Sequence, residues 1–168
     1  MKPRNTLPLY GIGPVYGATT ILSTALGIAL SAAGRLPAAG FGILRAPLAA
    51  VGLGLIALGA WLWHGAVFRA RLDDHIRNNT LVTSGVYAWV RNPIYSAILM
   101  ACAGALMMAD NLWLMLLPPL HDLLLTVLVK CTEERWLAAR YGEEYARYCQ
   151  RVNRCIPWPP RARGKRRD

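Results

Sequence analysis

Four long apolar runs constrain this chain more than anything else in it. They cover about residues 15–33, 46–68, 93–109 and 112–129, each near or above the ~17–25 residues that cross the hydrocarbon of a bilayer. Inside lipid a helix pairs its own backbone groups, so each run is assigned as a helix. Hydrophobic residues make up 55% of the 168 positions and charged residues only 17%, a balance that separates the chain from ordinary soluble domains. The expected fold is all-α: a polytopic membrane helix bundle of about four transmembrane spans, forming one membrane-embedded domain over residues 1–168. The uncharged interval from residue 5 to residue 34 is longer than a signal-peptide core, and further spans follow. The first run therefore reads as a retained helix.

Charge sets the expected orientation. The net charge is +10, with basic residues gathered at the ends of apolar runs and in the tail RARGKRR, residues 161–167. That distribution suits anionic lipid headgroups, and no recognition module points to nucleic acid. The second connection holds Arg69, Arg71, Arg77 and Arg91, with Asp73 and Asp74 among them, whereas the third, Asp110-Asn111, holds no cation. By the positive-inside rule the termini and the second connection face the cytoplasm. Residues 161–168 are expected to be disordered.

Packing cues lie inside the spans. Ala97, Ala101, Ala105 and Ala109 recur every fourth residue, and Gly52, Gly54 and Gly59 offer a similar smooth face in the second span. Pro118-Pro119 are expected to bend the fourth span. His121 and Asp122 follow them, ionisable groups at a depth where such groups are costly. His121 either satisfies a carbonyl freed by the bend or serves function. After the fourth span, residues 130–140 read as a polar helical continuation that Gly142 ends. Residues 143–152 read as a short amphipathic helix with Tyr145, Tyr148, Cys149 and Val152 on one stripe.

Polar chemistry concentrates in two intervals. Residues 79–95 (NTLVTSGVYAWVRNPIY) form a short polar stretch between apolar runs. Asn92-Pro93 is a helix-start signal, with asparagine as N-cap and proline in the first turn. The amides of Ile94 and Tyr95 then point out of a helix end able to hold a carboxylate or phosphate. Gly85 permits a close approach by backbone or a flat ligand. Tyr87, Trp89 and Tyr95 either stack on an adenine or belong to an interfacial aromatic belt. The second interval holds Glu133-Glu134. Lys130 and Glu134 are spaced as an i,i+4 pair, whereas Glu133 has no cation four residues on and is free to face a bound ammonium or sulfonium. Glu143 and Arg147 read as a plain surface pair. The four cysteines, Cys102, Cys131, Cys149 and Cys155, suggest neither a zinc site nor a disulfide framework, and no histidine motif points to a metal.

Together these motifs resemble the isoprenylcysteine carboxyl methyltransferase and phospholipid methyltransferase superfamily of integral membrane enzymes. The resemblance runs from about residue 79 to 157. It is carried by TLVTSGVYAW (80–89), by RNPIY (91–95) against the family's Arg-His-Pro-x-Tyr, and by Glu133-Glu134, YGEEY (141–145) and RVNRCIP (151–157) in order. It implies S-adenosyl-L-methionine as cofactor, held by Asn79, Thr80, Leu81 and Val82, by Tyr87, by Asn92, Pro93, Ile94 and Tyr95, and by the carboxylate of Glu133. Residues 69–160 would then be the cofactor-binding catalytic half and residues 1–68 the first two spans. The implied reaction is methyl transfer to a lipophilic acceptor within the bilayer, at the cytoplasmic face. Two family histidines are asparagine here, Asn79 and Asn92, which removes proton handling at those places. A family arginine linked to substrate binding is replaced by Val129. Val129, Lys130 and His121 are the candidate substrate contacts. Competing readings are a nicotinamide-dependent membrane reductase and a non-catalytic membrane subunit that kept the fold.

Overall fold

A computed structural model gives the architecture and describes residues 11–69 and 80–159. Asn79, the acids and arginines of residues 70–78, and the basic tail lie outside the described residues. Within them the fold is helical: α1 (Gly13–Ala32), α2 (Arg45–His64), α3 (Pro93–Met108), α4 (Leu117–Cys131) and α5 (Glu133–Arg151). A π-helical turn, Gly65–Arg69, extends α2. Short 3-10 turns occupy Gly42–Leu44, Gly85–Ala88 and Leu112–Leu116.

Three segments are long and apolar enough to cross a membrane: Gly13–Ala32, Gly42–Phe68 and Leu112–Cys131. The expected third span, α3, is apolar but has only 16 residues, about 24 Å at the usual helical rise. Large apolar side chains on the outer faces, among them Leu22, Leu26, Leu53, Leu123 and Val127, are exposed. Lipid would cover them in a membrane-helix bundle.

The tightest helix pair is α2 against α3. A Cβ built on Gly104 would run into the carbonyl oxygen of Gly52, and one on Gly59 would lie 2.8 Å from the carbonyl oxygen of Ala97. Small residues let these backbones touch, which is how helices associate without a hydrophobic drive between them. Gly52, Gly59 and Ala97 are therefore placed as their spacing suggests. Gly54 has nothing within 4 Å and takes no part. Gly104 joins the contact although it lies outside the alanine series.

Two expectations about α4 are corrected. The prolines fall in its first turn, directly after the 3-10 turn. There the missing N–H is one that no helix start uses, so no bend follows from it. His121 does not serve a freed carbonyl; its Nε2 lies 2.8 Å from Ser23 Oγ of α1. The polar continuation past residue 130 is also interrupted. Thr132 leaves the helical region at φ −125° and ψ −84°, and α5 starts afresh at Glu133. Gly142, at φ 50°, breaks the helical geometry within α5, the place where its lack of a Cβ is needed.

One end of the bundle gathers the two short connections, before α2 and after α3. The opposite end gathers the start of α1, the end of α2, residues 80–92 and the entry to α5. The chain after α5 returns to this second end. It pairs in parallel at Val90 and Asn153, with Arg91 N–H to Asn153 O (2.8 Å) and Asn92 N–H to Arg154 O (3.2 Å), and farther on Trp158 N–H bonds Trp89 O (3.0 Å).

Candidate functional site

The second end of the bundle brings the two polar intervals together. The hydroxyl of Tyr95, in the first turn of α3, donates to Glu133 Oε1 at 2.6 Å. The amide of Ile12, ahead of α1, donates to the same oxygen at 3.2 Å. Both hydrogen bonds converge on Oε1, and no cation pairs with Glu133 among the described residues. Gly11 stands against this carboxylate with φ +48°, and a Cβ there would collide with it. The positive φ and the close approach each call for glycine. Sequence reasoning passed over Gly11 and Ile12. Two glycines flanking Ile12, just before Pro14 and the first span, were the available signal.

Tyr87 closes one side of the site. Its carbonyl accepts the Tyr148 hydroxyl at 2.7 Å, which ties the 3-10 turn Gly85–Ala88 to α5. Burial, and then the negative charge of Glu133, push the Tyr87 phenol well above its ordinary range. The phenol therefore stays protonated. Gly85 has φ +61° with nothing within 4 Å. It serves the turn, and no protein group approaches it closely among the described residues. Trp89 stacks edge-on against Trp61, and Tyr95 against Tyr16, each pair with ring centroids 5.8 Å apart.

Glu134 does different work from its neighbour. Arg154 grips it twice, Nε to Oε1 at 2.7 Å and Nη2 to Oε2 at 3.1 Å. Arg91 Nη1 adds a contact to Oε1 at 3.1 Å. The expected pairing with Lys130 does not form, because the break at Thr132 removes the helical register it needed. Hydrogen bonding to Glu134 raises the Arg154 pKa further, which keeps that guanidinium charged. Arg91 also donates to Cys149 and, at 3.5 Å, to the Tyr145 hydroxyl. Tyr145, Tyr148 and Val152 form a buried cluster with Leu81 packed on it. The predicted stripe on α5 is therefore the face that holds the turn and the C-terminal segment in place.

The Asn92-Pro93 start of α3 is present, but Asn92 does not cap it with its side chain. Its Nδ2 donates to the Arg154 carbonyl at 3.0 Å. The side chain spends its donor on a distant partner, and the first amides of α3 keep no partner within their own helix.

The remaining sequence-predicted residues are placed as follows. Thr80 is exposed, Leu81 and Val82 are half-buried, and Asn79 lies outside the described residues. Pro93 is buried, with Ile94 packed on the cluster of Leu62, Ala66 and Val90. Val129 is buried beside Tyr16, Leu125 and Cys155. Lys130 is exposed at the end of α4, and His121 is buried within the bundle. Burial, then the charge of Asp122, push the Cys155 thiol up to about 12. Among the described residues no group of three or more His, Cys, Asp and Glu side chains is placed to hold a metal.

In chemical terms the site offers one carboxylate acceptor with no cation among the described residues (Glu133), amide donors at a helix start (Ile94, Tyr95) and aromatic walls (Tyr87, Tyr95). A ligand carrying both positive charge and a carboxylate matches that donor set.

The phospholipid methyltransferase family model matches residues 47–144. Among curated proteins, the chain is 31% identical over 118 residues to the protein-S-isoprenylcysteine O-methyltransferase of Schizosaccharomyces pombe, covering 64% of this chain and 49% of that protein. It is 33% identical over 110 residues to the cobalt-zinc-cadmium resistance protein CzcN of Cupriavidus metallidurans, covering 66% of this chain and 48% of that protein. The chain thus spans about half the length of these relatives. No solved structure matches it significantly. The match over more than half its length places the chain in the phospholipid methyltransferase family, within the superfamily that its motifs suggest.

Proposed function

We propose, from that membership, that the chain transfers a methyl group from S-adenosyl-L-methionine to a lipophilic acceptor at the cytoplasmic face of a membrane. One observation supports this above the others: the Tyr95 hydroxyl and the Glu133 carboxylate meet at 2.6 Å. That contact unites the helix start of residues 92–95 with the acids after α4 at a single rim.

The donor set fits the cofactor. When bound, S-adenosyl-L-methionine supplies an electrophilic methyl group on a sulfonium. Glu133 would balance its positive charge, with Tyr95 and the Ile12 amide fixing the carboxylate's orientation. The amides of Ile94 and Tyr95 would take its carboxylate at the positive end of α3. Tyr87 would wall the adenosine. Asn92 anchors the C-terminal segment against this pocket through Arg154, a holding role that needs no proton transfer. The methyl group needs no further activation, so the protein's contribution is alignment and exclusion of water. Positioning alone can lower a barrier by ~7–11 kcal/mol.

Membranes carrying the protein, incubated with methyl-labelled S-adenosyl-L-methionine, should yield label in the organic extract. The Glu133→Gln variant should yield little. Absence of extractable label from wild-type membranes, together with absence of cofactor binding, would overturn the proposal.

A further inference from the structure

The first span carries its polar side chains inward. The residues that α1 buries are Tyr16, Gly17, Thr20 and Thr24, while Val15, Ile21, Leu22 and Leu26 face outward. Tyr16, Thr20 and Thr24 are spaced by four, so they form one seam about 12 Å long on the inner face of the helix. Tyr16 opens the seam beside the candidate site, where its ring stacks edge-on against Tyr95. His121 of α4, bonded to Ser23 of α1, stands at the seam's middle and is buried.

Four polar atoms here have no hydrogen-bond partner among the described residues: Tyr16 Oη, Thr20 Oγ1, Thr24 Oγ1 and His121 Nδ1. Tyr16 faces Thr20, and Thr24 faces the Cys102 thiol of α3, yet neither approach has hydrogen-bond geometry. A threonine in a helix can spend its hydroxyl on its own backbone, as Thr132 does at the Leu128 carbonyl (2.6 Å). Thr20 and Thr24 do not. Ser23 gives its proton to the Thr20 carbonyl at 3.1 Å. His121 therefore donates from Nε2 to Ser23 Oγ, and Nδ1 is left as a bare acceptor. The seam thus holds three hydroxyl donors and one ring acceptor, on residues no more than 6% exposed. They lie in segments apolar enough to cross a membrane, where unpaired polar groups are costly.

We propose that this seam is an internal solvent site that holds about two water molecules, each bridging two or more of these groups. Water is the ligand that matches the set. It accepts from the hydroxyls, donates to Nδ1 and brings no charge to groups that carry none. The site fastens α1 to α4 through solvent, whereas α2 is fastened to α3 by backbone contact. The assignment goes beyond the methyl-transfer reading and does not depend on it.

The test is radiolytic footprinting of the full chain in phosphatidylcholine nanodiscs, in which hydroxyl radicals made from a held water oxidise the side chains that touch it. Tyr16, His121 or both should be oxidised although each is closed to bulk solvent. Thr20→Val and Thr24→Val keep the shape and remove the hydroxyl. Each should lose most of that label and should lower the unfolding midpoint, because a bridging water loses a partner. Hydroxyls that are simply unpaired give the opposite sign: exchanging an orphaned polar group for an apolar one leaves the midpoint unchanged or raises it. Thr20→Ser retains the hydroxyl and should retain the label. Absence of label at both Tyr16 and His121 in the wild type, or valine variants with midpoints at or above the wild type's, overturns the proposal.

Discussion

Each end of the bundle is closed by an acid that accepts a backbone amide, and the two acids are finished differently. At the end with short connections, Asp110 accepts the Phe41 amide at 2.9 Å and pairs with Arg45 at 3.3 Å. Asn111 beside it donates to Ser31 and to the Pro37 carbonyl. Asp110 there has its opposite charge, and the cluster reads as a staple. At the other end Glu133 accepts the Ile12 amide and the Tyr95 hydroxyl but pairs with no cation among the described residues. Its neighbour Glu134 has two. A staple needs charge balance, whereas a binding site keeps a charge in reserve for its ligand. On the proposed function, this difference makes Glu133 the acid that meets the ligand and Glu134 the one that holds the structure.

The comparison breaks most visibly at Glu134. Replacing it with alanine leaves Arg91 and Arg154 facing each other without compensation, and both are largely shielded from solvent. A loss of about 3 kcal/mol of stability is expected, at the lower end for a broken shielded pair. It should appear as a clear drop in unfolding midpoint in nanodiscs. A midpoint unchanged from wild type would mean that the network holds nothing together. Tyr148→Phe should cost about 1 kcal/mol, the usual net worth of one hydrogen bond. By loosening the Tyr87 turn it should also weaken cofactor binding, and an effect on stability without one on binding would detach that turn from the site. Asp110→Asn is the control from the opposite end. Arg45 is mostly exposed there, so losing the pair should cost under about 1 kcal/mol. Cofactor affinity should not move; a shift would show that the two ends are coupled.

The spans were legible because lipid enforces a local rule. Unbroken apolar length means helix, and α1, α2 and α4 follow it closely. The residues of the site were legible as types, since glutamate, tyrosine and asparagine at a helix mouth carry their chemistry in any context. Their partners were not. Asn92 scores as a side-chain cap by local preference, yet it bonds the Arg154 carbonyl 62 positions away. Glu134 scores as the partner of Lys130 by helical spacing, yet one non-helical residue, Thr132, cancels that spacing. Ile12 and Glu133 are 121 positions apart, and no periodicity connects them. Interactions decided by how helices dock are invisible to spacing rules, and this site is built largely from such interactions.

The most direct test is a double-mutant cycle on S-adenosyl-L-methionine affinity, using Tyr95→Phe, Glu133→Gln and the combined variant in nanodiscs. Glu133→Gln should weaken binding by at least about ten-fold, the worth of a hydrogen bond to a charged group. The two changes together should cost less than the product of their separate effects, because both act through one carboxylate. Wild-type affinity in all three variants would contradict the claim that this rim holds the methyl donor.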